Sequence, residues 1–192
     1  MSSSAAPTTS FLGLLRRFRR NRKASAAVQF ALVAPAFFAL LFAIIETALM
    51  FLASQVLETI TQDSARMVMT GQAQTGQVAS CAVSGQSSPC TATSFKTYVC
   101  SQIPALFDCN MIYVDVESYN SFSAISLNSQ IDGAGNFVAN MQYNPGGPGD
   151  IVVVRLFYQW PLFVTGLGYN IANMSGNQRL LVATAAFQNE PY

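Results

Sequence analysis

The chain has 192 residues, of which 51% are hydrophobic and only 10% are charged. Ordinary soluble domains carry roughly 25% charged residues, so length and composition together indicate one domain plus a membrane anchor. The sequence contains no histidine, which is the most frequent general base and the commonest metal ligand in proteins. We therefore expect a protein that is not an enzyme and that holds neither a cofactor nor a metal.

The charges are strongly polarised along the chain. Residues 1–10 are small and polar, and no acidic residue precedes Glu46. From residue 24 onward there are four basic and nine acidic residues, a net charge of −5. Residues 1–23 are therefore predicted to form a disordered basic tail. Six of the ten basic residues lie within eight positions of this tail: Arg16, Arg17, Arg19, Arg20, Arg22 and Lys23.

An uncharged run of 22 residues follows, from Ala24 to Ile45. A helix needs about 20 apolar residues to cross the bilayer core, so a transmembrane segment is predicted at about residues 25–47. A cleaved signal peptide has a shorter apolar region, of about 7–15 residues. The basic cluster keeps its own flank in the cytoplasm by the positive-inside rule, and everything after the helix is then outside. Next to such a run, the cluster indicates topology rather than nucleic-acid binding.

The helix is predicted to continue to about residue 70. From Ser54 onward apolar side chains recur at helical spacing, and the polar side chains of Glu58, Gln62, Asp63 and Arg66 face the other way. Gly71 is a suitable stop because glycine accepts the left-handed conformation that ends helices. The predicted stripe consists of Val56, Leu57, Ile60, Ser64, Met67 and Val68.

Glu46 is the only ionisable residue between positions 24 and 57. Two interpretations are open. Its carboxylate either packs against a partner helix or a subunit terminus within the membrane, or it is hydrated at the outer membrane interface. Counting about 20 residues from Ala26 favours the hydrated interfacial position.

The part of the chain after the helix contains all four cysteines: Cys81, Cys90, Cys100 and Cys109. An even number of cysteines in an exported segment indicates two disulfide bonds. Three pairings are possible, and the sequence-adjacent pairs Cys81–Cys90 and Cys100–Cys109 are favoured because each closes a short loop. Zinc binding is disfavoured because C-x-x-C spacing and histidine are both absent from the sequence.

Residues 71–192 are predicted to form an exported α+β domain. Residues 71–93 are polar and are expected to be a surface loop, and residues 95–107 a short helix. Strand patterns occur at 111–118, 151–160 and 180–187, with a weaker one at 136–143 before a turn rich in glycine and proline at 144–150. We expect a small antiparallel sheet on which the outer half of the long helix packs.

Two acidic residues, Asp115 and Glu117, share one face of the first predicted strand because successive side chains point to opposite faces. A solvated strand face is the simpler interpretation. Ca²⁺ binding with help from Asp132 or Asp150 is the alternative.

The sequence at the membrane border resembles a known family. Residues 23–30, KASAAVQF, lead into the apolar residues 30–46, FALVAPAFFALLFAIIE. This order is similar to that of the TadE/TadG-like family, pseudopilin-like proteins of tight-adherence (Flp type IVb) pilus systems in bacteria. The match covers about residues 16–70 and extends more loosely to the segments GPGDIVVVRLFYQWPL and RLLVATAAFQNEPY.

The resemblance implies a pilin-like fold and a structural role in pilus biogenesis at the bacterial inner membrane. The C-terminal domain would be periplasmic, and the partners would be other pilin-like subunits, the assembly machinery, membrane lipid and a prepilin peptidase, with no nucleic acid. The alternative function, from another class, is a membrane-tethered extracytoplasmic ligand-binding module without a pilus role.

The resemblance also implies a prepilin-peptidase motif at Ala24, Ser25, Gln29 and Phe30, with the cut between Ala24 and Ser25. Two positions depart from the family pattern: Ala24 replaces glycine and Gln29 replaces glutamate. That glutamate offers its charge to the N-terminal ammonium of a neighbouring subunit within the apolar layer. Gln29 cannot neutralise this ammonium, so we expect the chain either to remain an anchored scaffold or to enter pili as a rare subunit.

Overall fold

A computed structural model of the chain describes residues 22–82, 86–164 and 169–192. Most of the predicted basic tail, residues 1–21, lies outside the described residues. The chain divides between Ile45 and Glu46 into two units. In chain order the elements are helix α1 (Arg22–Met69), the short helix α2 (Gln72–Thr75), helix α3 (Ala92–Gln102), and the strands β1 (Ile112–Tyr119), β2 (Ile151–Pro161) and β3 (Gln178–Gln188).

The second unit is built on a three-stranded antiparallel sheet in the order β1–β2–β3. The central strand, β2, is buried along almost its whole length, as expected for a run of β-branched and aromatic residues. The predicted α+β class is confirmed, and the three strands lie within two residues of their predicted bounds.

From Glu46 onward, α1 packs its predicted stripe into the core of the second unit. Leu57 and Val68 are fully buried, and Ile60 is nearly so. They belong to one apolar cluster with side chains from one face of the sheet, including Val116 and Val154. Of the four polar side chains predicted to face away, those at 62, 63 and 66 are exposed and that of Glu58 is partly exposed. The amphipathic prediction for this part of the helix is therefore confirmed.

The weak strand predicted at 136–143 is wrong. Only isolated bridges form there, one of which joins Tyr143 to Val116 of β1. The N–H of Gln142 donates to the Asp115 carboxylate at 2.7 Å instead of to a strand carbonyl. Pro145 then follows and has no N–H to donate. Continuous pairing along the edge of β1 is interrupted at both positions.

Two further segments differ from their predictions. Helix α3 ends at Gln102 rather than near residue 107, because Pro104 follows and disfavours helical backbone at the residue before it. The segment 71–93 is not simply a surface loop, since α2 lies within it and places Ala73 in the core. Val78 is buried as well. Because the segment is mostly polar in composition, its sequence did not predict the burial of these two apolar residues.

The end of α1 is fastened to the C-terminal tail. The N–H of Glu190 donates to the carbonyl of Met69 at 2.9 Å. Gly71 follows the helix with φ 74°, the left-handed conformation that glycine accepts without strain. The ring of Tyr192 covers this glycine so closely that a Cβ at position 71 would lie 2.2 Å from Tyr192 Cγ. Helix end and chain end are therefore packed as one structure.

We predict that Gly71→Ala lowers the free energy of unfolding by about 1–3 kcal/mol, because the new methyl group combines an unfavourable φ with the displacement of the Tyr192 ring. Thermal unfolding of the full chain in detergent, followed by circular dichroism, measures the loss. Gly133→Ala is the matched control, since a Cβ at Gly133 meets nothing within 4 Å. Equal stability of the two variants would contradict the close packing of Tyr192 on Gly71.

Candidate functional site

The first unit presents an apolar surface. Within the described residues, one helical stretch, Ala26–Met69, is long and apolar enough to cross a membrane, with mean hydropathy 2.4 and its most apolar window 0% buried. A surface of this kind is unfavourable in water at about 25 cal/mol per Å². The exposed large side chains of this unit are Val28, Phe30, Leu32, Val33, Phe37, Phe38, Leu40, Leu41, Phe42, Ile44 and Ile45.

The predicted peptidase motif lies at the start of this surface. Ala24 and Ser25 have helical backbone in α1, and their side chains lie outside the described part of the structure. Gln29 is exposed, and Phe30 is 69% exposed. The structure therefore places the last two residues of the motif on an open helix surface, and cleavage of the Ala24–Ser25 bond stays a prediction.

Glu46 is engaged within its own chain, and a contact with a partner helix or a subunit terminus stays a prediction. Its side chain is buried, with 6% of the residue exposed. The carboxylate accepts the backbone N–H groups of Phe163 and Val164, the latter at 3.1 and 3.2 Å to its two oxygens. One residue further along α1, the Thr47 and Tyr169 hydroxyls are also hydrogen-bonded to each other. Glu46 thus fixes the segment after β2 to the helix, a contact across 117 residues that local pattern cannot reveal.

The cysteines form the two sequence-adjacent pairs. Cys81 is bonded to Cys90 with Cα atoms 4.8 Å apart, and Cys100 to Cys109 with Cα atoms 5.6 Å apart, both within the usual disulfide range. Cys81 and Cys90 belong to the apolar cluster that also holds the α1 stripe. Closing a loop of this length removes unfolded-state entropy worth about 2–3 kcal/mol. Both bonds fasten irregular segments that flank α3.

Asp115 and Glu117 do not form a solvated strand face. Asp115 is 1% exposed, and its Oδ2 lies 2.6 Å from Arg155 Nη2. Glu117 Oε1 lies 2.9 Å from the same nitrogen, and its Oε2 accepts the Tyr119 hydroxyl. Burial, together with that carboxylate, raises the pKa of Tyr119. The buried Arg155 guanidinium thus occupies the position that a calcium ion bound by these two carboxylates would take.

The two other candidate calcium ligands are engaged in their own turns. Asp132 accepts the N–H groups of Ala134 and Asn136. These hydrogen bonds, of which the one from Asn136 has the largest effect, hold the pKa of Asp132 below its usual range. Asp150 accepts the N–H of Gly147 at 2.8 Å. Each carboxylate therefore stabilises a loop of the second unit.

Arg155 is the residue that sequence reasoning missed. One signal was available, because it is the single basic residue in the apolar strand IVVVRLFYQW. An ionised side chain at such a position needs a partner, and Asp115, which stands opposite it in the antiparallel register, supplies one.

A shallow cleft of about 270 Å³ lies beside this ion pair, on the sheet face opposite α1. Its walls are largely apolar, with Phe157 and Leu180 from the sheet. Gln130 lines it with 5% exposure, and its Oε1 is buried without a hydrogen-bond partner among the described residues. The cleft is therefore a shallow, largely apolar depression with a buried amide oxygen in its wall.

The two units define a class: a protein with an apolar helix long enough to cross a membrane and a disulfide-bonded α+β domain. The family model described as TadE-like protein matches residues 24–66, which confirms the resemblance and locates a TadE-like domain on α1. No curated protein and no solved structure matches the chain.

The disulfide pairing gives a sharp peptide-mapping prediction. Trypsin cleaves after Arg66, Lys96 and Arg155, and Lys96 is the only cleavage site between residues 67 and 154. With the adjacent pairing, the peptides 67–96 and 97–155 separate without reduction, each with one internal disulfide. Either crossed pairing would keep the two peptides covalently joined. Non-reducing mass spectrometry of the full chain, alkylated before digestion, distinguishes these outcomes, and reduction of the same digest is the control.

We predict that Arg155→Met lowers the free energy of unfolding by about 3–5 kcal/mol, because it leaves the buried Asp115 carboxylate without its cation. Urea unfolding in detergent measures the change. Arg179→Met is the matched control: Arg179 donates to the carbonyl of Ile171 at 2.7 Å, and losing this bond should cost about 1 kcal/mol. A cost for Arg155→Met no larger than that of the control would refute the structural role of the ion pair.

Proposed function

We propose that the chain is a non-enzymatic, pilin-like component of a tight-adherence pilus assembly machine, held in a bacterial inner membrane by α1. One observation carries the proposal. The segment that matches the TadE-like model, residues 24–66, includes the exposed apolar helix surface of the first unit. The family resemblance therefore falls on the part of the chain that is suited to association within a membrane.

The proposed topology has the basic N-terminal residues in the cytoplasm and residues 71–192 in the periplasm. The cluster of Arg and Lys next to the apolar run supports the first part. The two disulfide bonds support the second, because such bonds persist in oxidising compartments.

The proposed mechanism is assembly rather than chemistry. In a bilayer, helices associate through close packing, which small residues at the contact favour. Ala39 and Ala43 lie one turn apart on α1 among large apolar side chains, which suits such a contact. The partners are other pilin-like subunits and the assembly machinery, and the second unit would dock outside the membrane.

Deleting the gene tests the proposal. We expect surface pili, counted by electron microscopy, to fall to background and to return when the full chain is supplied. The tagged chain should also co-purify with other pilus components in mild detergent. The matched control replaces residues 26–45 by an unrelated apolar helix of equal length, which should still anchor the chain but should lose co-purification and pili.

Three outcomes count against the proposal. A normal number of pili after deletion would contradict a role in assembly. Full activity of the replaced helix would contradict a specific helix contact. A periplasm-dependent reporter, such as alkaline phosphatase, that is inactive when fused to Tyr192 would contradict the topology.

The intact mass of the purified chain decides between its two forms. A chain that begins at Ser25 has been cut by the peptidase and is available as a rare pilus subunit. A chain that begins at Met1 or Ser2 is the anchored scaffold. In the second case Ala24→Gly together with Gln29→Glu, which restores the family pattern, should increase processing.

The second candidate function is a membrane-tethered ligand-binding module. The cleft beside Gln130 is the observation that favours it, because its largely apolar wall holds an acceptor that has no hydrogen-bond partner within the described part of the chain. Normal pili after gene deletion, together with an anchored and exported chain in the parent strain, would favour this function over the first.

A further inference from the structure

We propose that the segment directly after β2, Leu162–Val164, is a second membrane contact, with Phe163 inserted at the outer boundary of the bilayer beside α1. The occupant of this surface is lipid. The inference rests on the proposed anchoring role of α1 and adds a loop of the second unit to the part of the chain in contact with the membrane.

The first observation is the exposure of Phe163. At 84% it is the most exposed large apolar side chain of the described residues. The surrounding sequence is also unusual, because residues 156–178 contain no charged side chain. A phenylalanine in this setting gains by leaving water, and the absence of charge in the adjoining sequence removes the main penalty for contact with lipid.

The second observation is the level at which this segment is held. Glu46 accepts the N–H groups of both Phe163 and Val164, and Thr47 is hydrogen-bonded to Tyr169. Contacts therefore fasten Phe163, Val164 and Tyr169, all in the connection between β2 and β3, to the same turn of α1. Phe163 is thereby held at the same position along the α1 axis as Glu46.

The third observation is that the apolar surface of α1 continues beyond this height. Leu49, Phe51 and Leu52 are 44%, 62% and 55% exposed, and the next exposed side chain is that of Gln55. Leu52 lies six positions after Glu46 on the helix, about 9 Å at 1.5 Å per residue. Phe163 is therefore on the lipid side of the edge of the apolar band, at a depth typical of side chains inserted at the interface.

This arrangement also accounts for the acidic residue within the apolar stretch. A carboxylate at a membrane boundary is costly unless its oxygens are hydrogen-bonded. The two N–H groups supply such bonds, and Glu46 in return directs the apolar tip of the loop toward lipid. The exposed apolar surface of α1 extends along the helix axis past the position of Phe163, which favours lipid over a separate protein partner as the occupant.

Photolabelling of the unmodified full chain tests the inference. The chain is reconstituted into vesicles of phosphatidylcholine that carries a diazirine near the carbonyl end of one acyl chain, irradiated, and digested with trypsin. Cleavage after Arg155 and Arg179 isolates Phe163 in the peptide 156–179, whereas Phe122 lies in the peptide 97–155. We expect at least fivefold more lipid adduct on 156–179 than on 97–155.

Two serine variants assign the label to its residue. Phe163→Ser should reduce labelling of its peptide at least threefold. Phe122→Ser is the matched control, since Phe122 is also exposed, at 59%, but follows the end of β1 that pairs with Ile151, roughly 33 Å along β2 from Pro161 at 3.3 Å per residue. The control should leave the labelling of 156–179 unchanged.

Glu46→Ala tests the role of the carboxylate. Loss of its hydrogen bonds from the two N–H groups should release the segment and lower labelling of 156–179 toward the level of 97–155. Unchanged labelling in this variant would overturn the positioning role of Glu46.

Equal labelling of 156–179 and 97–155 in the unmodified chain would overturn the membrane contact, including the case in which another copy of the chain covers Phe163. If the same preparation carries adducts on the peptide that contains α1, and the chain still restores pili, the loop assignment fails while the proposed function stands. If the α1 peptide is also unlabelled, the anchoring role of α1 fails as well.

Discussion

The packing of α1 against one face of the sheet is the contact on which the second unit depends. From Glu46 onward, Leu57, Ile60 and Val68 are removed from water by strand residues such as Val154 and Leu156, and burying each large aliphatic side chain contributes about 1.5–3 kcal/mol. Small residues between them, including Ala53 and Ala65, are also buried and allow close approach. This part of the helix is thus one wall of the core and continues the long apolar stretch of α1.

The other face of the sheet buries a charged group instead of apolar side chains alone. Arg155 lies in a strand that is otherwise almost entirely apolar, and its guanidinium is held by Asp115 and Glu117. Asp115 also accepts the N–H of Gln142, so the ion pair limits how the segment after residue 136 approaches β1. A buried pair of this kind adds little net stability relative to an apolar pair, but it requires β1 and β2 to be in one register.

Local pattern predicted those features whose cause is local. Alternation located β1, the apolar run located β2, and helical spacing identified the buried stripe that contains Ile60. The pairing Cys81–Cys90 is the short loop that sequence favoured. Each of these depends on residues close together in the chain.

The features that local pattern did not predict depend on distant partners. The environment of Glu46 is set by backbone N–H groups 117 and 118 residues away. The burial of Asp115 follows from an arginine 40 residues further on. The segment 136–143 has strand-like composition, yet the hydrogen bond from Gln142 to Asp115 and the position of Pro145 prevent a continuous ladder. In each case a long-range contact overrides a local preference.

The contact between the end of α1 and the C-terminal tail has a mechanical consequence. Tension transmitted along the helix reaches Met69, whose carbonyl is also bonded to Glu190, two residues after β3. The load therefore divides between the covalent path toward α2 and a direct path into the edge strand. Pulling on the N-terminal end of α1 would strain this junction before the central strand, and Tyr192, seated on Gly71, lies where the two paths separate.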